Sequence, residues 1–144
     1  MDRGIGPPKF APVRVRRAAV DELIGHAREA LPDECCGLLV GSPDAIRWTV
    51  RSRNLAASPA RYLIDPEVQF AAMRSARAAG LTVAGAYHSH PATAAVPSAA
   101  DLAEAGDPEF LYVIVSPAAG SGEADVRGYR MAEGNFHPVE LVVD

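Results

Sequence analysis

Hydrophobic and polar positions change period several times along this chain, and each change marks an element. Val13-Arg14-Val15 alternates as a short strand does. From Arg17 to Ala30, Val20, Leu23, Ile24 and Ala27 recur at three- and four-residue spacing, which predicts a helix with one apolar face ended by Pro32. Runs at about 35–41 and 45–53 flank Ser42-Pro43-Asp44, so two strands joined by a hairpin are expected. Arg61-Tyr62-Leu63-Ile64 reads as a further short strand. Asp65 suits an N-cap and Pro66 a first helical position, opening a helix to about Ala79 that Gly80 closes. Its small inner face of Val68, Ala71, Ala72, Ser75 and Ala79 fits close against a sheet. Leu81 to Tyr87 is a largely buried strand running into His88. A short helix is expected over 99–105, ending near Gly106. Strands follow at about 110–116, 124–131 and 136–143, with Gly120-Ser121-Gly122 turning between the first two.

These elements do not alternate strand and helix strictly. They predict an α/β (α+β) fold with a mixed, mostly antiparallel sheet flanked by helices. No repeat or linker divides the chain, so residues 13–144 read as one domain and the Gly/Pro-rich residues 1–12 as a flexible arm. A length of 144 residues suits one core, and 49% hydrophobic with 22% charged residues excludes a disordered chain. The net charge of −4 argues against nucleic acid as a partner. No apolar run reaches the roughly 18 residues of a membrane helix. The N-terminus lacks the apolar core of a signal peptide. A cytoplasmic protein without a membrane partner is the expectation.

The chemistry concentrates after the buried strand. His88 and His90 stand two residues apart, so in an extended chain both point to one side, roughly 6.6–6.8 Å apart at Cα. Ser89 faces the other way. Pro91 ends the strand, and residues 92–96 give the chain room to turn back. Pro97 precedes Ser98, an N-cap for the next helix, and Asp101 falls in that helix's first turn, where the dipole favours a carboxylate. Taken alone, Ser98-x-x-Asp101 is a capping box that needs no function. A lone His-x-His is more often structural or solvated than a metal site. Together at this spacing they offer three ligands to one zinc ion, with the fourth place left to water. The adjacent Cys35 and Cys36 face opposite sides of a strand, which disfavours a shared metal or a relaxed disulfide, and they read as small buried apolar residues. His26 and His137 lie outside the pattern.

The string His88-Ser89-His90-Pro91, six intervening residues, Ser98, two more and Asp101 resembles the JAMM motif of the catalytically competent MPN (JAB/MPN) metalloproteases. Glu34, before Cys35-Cys36-Gly37-Leu38-Leu39, matches the family's upstream glutamate. The resemblance spans about Val13 to the C-terminus. It implies the MPN (cytidine-deaminase-like) fold, a curved sheet between helices. It implies one zinc per chain held by His88, His90 and Asp101, Glu34 as general base and then acid, and Ser98 as oxyanion donor. Connections around the site are short, unlike the long insertions of ubiquitin-chain-cutting relatives. The chain is therefore most similar to the compact bacterial branch of the CysO-cysteine peptidase type, which acts on small ubiquitin-fold sulfur-carrier proteins. The implied reaction is hydrolysis of the amide after the carrier's C-terminal glycines, as in cysteine biosynthesis. Leu55 to Ile64 is the candidate for part of the tail groove. Two other readings stand beside it: a deubiquitinase-like isopeptidase on ubiquitin-like conjugates, and a non-catalytic MPN scaffold. Nothing in the sequence decides between a monomer and a homodimer.

Overall fold

One eight-stranded sheet carries the chain, and its two edge strands are neighbours in sequence. The computed structural model describes residues 10–119 and 122–144. In chain order the elements are β1 (Val13–Val15), α1 (Arg17–Ala30), β2 (Cys36–Ser42), β3 (Ala45–Ser52), α2 (Pro66–Ala78) and β4 (Thr82–Ser89). There follow α3 (Ala99–Glu104), β5 (Leu111–Ala119), β6 (Glu123–Ala132), β7 (Asn135–Val139) and β8 (Leu141–Val143). Across the sheet the order is β7-β6-β5-β4-β2-β3-β1-β8. Antiparallel pairing joins β2 to β3 and β4, and β6 to β5 and β7. Parallel pairing joins β1 to β3 and β8, and β4 to β5. The expected mixed, mostly antiparallel sheet is present.

Its curvature follows from β7 and β8. They occupy opposite edges, yet only Glu140 separates them in the chain. Laid flat, eight strands would set those edges roughly 33 Å apart, at about 4.7 Å per step. The two steps from Val139 to Leu141 span at most about 7 Å. The sheet therefore curls until its edges nearly meet, and Leu141 of β8 lies over Gly128 of β6, where a Cβ would come within 2.6 Å of it.

Two sequence expectations are corrected here. The single strand expected over 136–143 is two strands, because β7 completes a hairpin with β6 and β8 crosses to run beside β1. The short strand expected over Arg61–Ile64 is not a strand. Only an isolated Asn54–Ile64 bridge forms, and the backbone on either side of Tyr62 is bonded by the Asn54 side chain instead. The remaining boundaries agree within a few residues. Residues 1–9 of the expected arm, and Gly120 and Ser121 of the expected turn, lie outside the described residues.

The core sits on both faces of the sheet. α1 buries Ala19, Val20, Leu23 and Ala27 against Leu39, Ile46, Tyr87, Val113 and Val115, and Phe10 packs against the same cluster. On the opposite face α2 sets Ala72 against Leu38 and Ala86, flanked by Ile64, Val68 and Phe110. Alternation along β4 thus sends Tyr87 to the α1 side and Ala86, with His88, to the other. α2 starts as its sequence demands: Asp65 Oδ1 accepts from Glu67 N at 2.9 Å and Pro66 stands at the first turn. Among the described residues, no helix is long and apolar enough to cross a membrane.

Gly85 lets β4 and β5 come together directly before the site. A Cβ there would lie 2.1 Å from the Leu111 carbonyl oxygen, which is backbone and cannot swing away. Gly85→Ala is expected to destabilise the fold by about 1–3 kcal/mol, the usual effect of overpacking. Chemical denaturation of the two proteins checks it.

Candidate metal centre and active site

β4 is a central strand, and its end is fastened from both sides. His88 pairs with Cys36 on β2 and with Ile114 on β5. Ser89 turns its side chain away, as its alternate position requires, and its Oγ accepts from Cys35 N at 2.8 Å while its N–H donates to Cys35 O at 3.1 Å. One residue on, His90 N donates to Val115 O at 2.9 Å. The backbone of both histidines is therefore set by the sheet.

The returning segment is fastened too. Tyr129 Oη donates to Ala95 O at 2.7 Å and Ser116 Oγ to Thr93 O at 2.8 Å. Ala95 itself is buried against Ile114 and Tyr129. Ser98 then caps α3: its Oγ accepts from Asp101 N at 3.1 Å, and its N–H donates to Asp101 Oδ2 at 2.8 Å. The capping box read from the sequence exists. It aims the Asp101 carboxylate at the two histidines.

His88, His90 and Asp101 are each buried, and one ligand atom from each converges. His88 Nε2 lies 3.3 Å from His90 Nε2 and 3.0 Å from Asp101 Oδ1, and His90 Nε2 lies 2.9 Å from Asp101 Oδ2. The three groups are close enough to share one ion, with Oδ1 facing His88 and Oδ2 facing His90, and the donor set of two imidazoles and one carboxylate suits zinc. His90 Nδ1 donates to Ala94 O at 2.9 Å, which fixes the ring and turns Nε2 toward the cluster.

The electrostatics fit a cation site. Burial alone would push the Asp101 carboxyl up, but hydrogen bonds from His88 and His90 outweigh it and hold the group far below its usual range. Burial lowers His88, keeping its imidazole neutral. For His90, burial also acts downward, but its bonds to Asp101 and Ala94 win and raise it.

Glu34 sits just before β2, 5% exposed. Its N–H donates to Ser58 O at 3.0 Å and its carbonyl accepts from Asn54 Nδ2 at 3.1 Å. The side chain contrasts with this well-bonded backbone: among the described residues Oε1 is buried without a hydrogen-bond partner. Burial raises the carboxyl to about 7, with the charge of His90 acting downward and that of Asp101 upward. A buried acceptor left unpaired calls for an explanation. A carboxyl poised near neutrality, and feeling the charges of His90 and Asp101, is suited to proton transfer.

The cysteines stay out of the cluster. Cys35 packs into the α1-side core, with its thiol pushed by burial to about 11. Cys36 lies opposite His88, but burial pushes its thiol to about 12, and its Sγ contacts Arg53 O at 3.6 Å. His26 is bonded through Nδ1 to Tyr87 Oη at 2.7 Å, and His137 through Nε2 to Ala132 O at 3.1 Å. Sequence reasoning missed Tyr62. Its ring stacks on His88, with centroids 4.4 Å apart and planes at 15°. It also lines a cavity of about 410 Å³ with Leu63, Ile64, Ala86, Phe110 and Tyr112. Nothing in the local pattern distinguishes Tyr62 from an ordinary strand residue.

A family model described as prokaryotic homologs of the JAB domain matches residues 16–131. The chain belongs to that family. A desampylase of Haloferax volcanii is 40% identical to this JAB chain over 106 residues, covering 69% of it and 76% of the relative. A CysO-cysteine peptidase of Mycobacterium tuberculosis is 34% identical over 132 residues, covering 89% and 90%. A probable TtuB-protein conjugate cleaving protease of Thermus thermophilus is 34% identical over 130 residues, covering 90% and 81%. The JAB chain also superimposes on a solution structure from Desulfitobacterium hafniense, with a TM-score of 0.78, 34% identity and 92% of each chain covered. A crystal structure of a JAB1/MPN domain protein from Archaeoglobus fulgidus aligns at a TM-score of 0.60 and 22% identity, over 94% of this chain and all of that one. The fold is the JAB/MPN fold.

Proposed function

We propose that this JAB protein is a zinc-dependent peptidase that hydrolyses the amide bond after the C-terminal glycines of a small ubiquitin-fold sulfur-carrier protein. The observation that carries the chemistry is the convergence of His88, His90 and Asp101 at 2.9–3.3 Å, together with a buried Glu34 carboxyl that feels the charges of His90 and Asp101. His88, His90 and Asp101 would hold a zinc ion, which when bound would supply a Lewis acid and ease deprotonation of the attacking water. Glu34 takes the proton from the attacking water and returns it to the leaving amine, a role that a carboxyl near 7 serves in both directions. Ser98 Oγ acts as acceptor within the capping box, which leaves its O–H to donate to the oxygen that gains charge.

The substrate class rests on the relatives: one is named for a CysO-cysteine adduct, one for TtuB-protein conjugates, and one is a desampylase. The cavity lined by Tyr62, whose ring stacks on His88, supports it. Tyr62, Leu63 and Ile64 line one part and Phe110 and Tyr112 another, and Ala86, two residues before His88, keeps it open. Glycines before the scissile bond let an extended tail approach without side-chain clashes. The cavity also takes in the end of the 55–64 segment expected to form such a groove.

The decisive experiment offers the zinc-loaded protein three substrates: a carrier–cysteine adduct, carriers with other C-terminal extensions, and Lys-linked ubiquitin dimers. Cleavage of the carriers after their glycines is the expected result. Cleavage of ubiquitin dimers alone would replace this reading with the isopeptidase one. No turnover of any conjugate would favour a scaffold.

A further inference from the structure

The metal-ligand candidates are held unequally. His90 is oriented by its Nδ1 bond to Ala94, and Asp101 by the capping box. The His88 ring makes its polar contacts through Nε2, on the side facing the cluster. It is restrained from the face instead, by the parallel ring of Tyr62 at 4.4 Å. Tyr62 lies in the irregular segment between β3 and α2. A ring there could hold His88 only if its own backbone were fixed.

Asn54 fixes it. Its Nδ2 donates to Arg61 O at 2.9 Å and its Oδ1 accepts from Leu63 N at 2.9 Å, so one side-chain amide grips both neighbours of Tyr62. The second Nδ2 proton goes to Glu34 O at 3.1 Å, and Oδ1 also accepts from Ala56 N at 3.0 Å. All four hydrogen-bonding positions of the amide are used. Leu55 N donates to Leu63 O at 2.9 Å, closing the loop on itself. Arg61 reaches Glu104 on α3, the helix that carries Asp101, at 3.1 Å. The segment therefore touches the base, one ligand and the helix of another.

We propose that Tyr62 is a positioning residue that holds the His88 imidazole in its metal-binding orientation by stacking, and that Asn54 is the clip that sets Tyr62 and the Glu34 backbone together. The inference rests on His88 being a metal ligand. An imidazole that lends electron density to a cation is electron-poor, and the electron-rich face of a tyrosine suits it. Contacts that orient a ligand from behind typically account for about 10–100-fold in metal affinity.

The test measures zinc affinity by chelator competition and the visible spectrum of the cobalt-substituted protein, neither of which needs a substrate. Tyr62→Phe keeps the stacked ring and is expected to match wild type in both. Tyr62→Ala is expected to bind zinc roughly 10-fold more weakly, with altered cobalt bands. Tyr62→Leu fills much of the same space without an aromatic face and is expected to follow Tyr62→Ala. Asn54→Asp puts an acceptor oxygen against the Glu34 and Arg61 carbonyls, and is expected to weaken zinc binding while Tyr62 itself is unchanged. Wild-type affinity in Tyr62→Ala or Tyr62→Leu overturns the positioning role and leaves the metal site standing. So does a loss in Tyr62→Phe as large as that in Tyr62→Ala. A wild-type protein that binds no zinc overturns both.

Discussion

Glu34→Gln is expected to fold and to keep its zinc affinity, yet to hydrolyse substrate about 10²–10⁴-fold more slowly than wild type, the usual contribution of a positioned general base. Glutamine keeps the shape of the side chain and removes its ability to carry the proton. A second signature separates this from simple damage. The Glu34 carboxyl is raised by burial from 4.5 to about 7, so the folded protein binds this proton more tightly than the unfolded chain. The associated stability is fully present below about 4.5 and is lost as pH rises through about 7. Glutamine has no such loss. With both proteins stripped of metal, Glu34→Gln is therefore the more stable at pH 8, and the gap closes as pH falls toward 5. Thermal unfolding across that range checks the sign, and turnover at wild-type rate would end the case for Glu34 as base.

Asp101→Asn separates the two duties of that carboxylate. The substituted amide would keep an oxygen for the Ser98 N–H and so preserve the cap on α3. It would remove the charge that holds the two histidines. Zinc affinity is expected to fall by more than the roughly 10–100-fold that a supporting partner is worth, since the proposed ligand itself is weakened. Asp101→Ala should lose zinc binding and also about 1 kcal/mol of cap. Equal zinc content in wild type and both variants would leave Asp101 with capping alone. Metal analysis after dialysis decides it.

Much of this was legible in the chain because it depends on near neighbours. The two-residue spacing of His88 and His90, the proline that ends the strand and the capping box at Ser98 are local devices, and local geometry settled them. The helix from Arg17 to Ala30 was readable for the same reason. What was hidden depends on residues far apart in sequence. Nothing in 136–143 shows that the run divides at Glu140, because only the closing of the sheet places Leu141 beside Val13. Tyr62 reads as part of a strand because Tyr62, Leu63 and Ile64 form a short apolar run ahead of the Asp65-Pro66 helix start. Its contact with His88 bridges 26 positions and depends on how Asn54 folds the intervening loop.

The unpaired Glu34 oxygen also bears on how such a protein changes over generations. Asp101 caps a helix and Ser89 ties two strands, so each has structural reasons to persist even in a descendant that has stopped cutting anything. Glu34 shows none in its side chain: among the described residues Oε1 is buried without a partner, and ionisation as pH rises through about 7 weakens the fold. Once selection for turnover lapses, drift at position 34 toward neutral residues is favoured by stability itself. Among descendants of this chain, a surviving glutamate there is a better mark of a working enzyme than a surviving aspartate at 101.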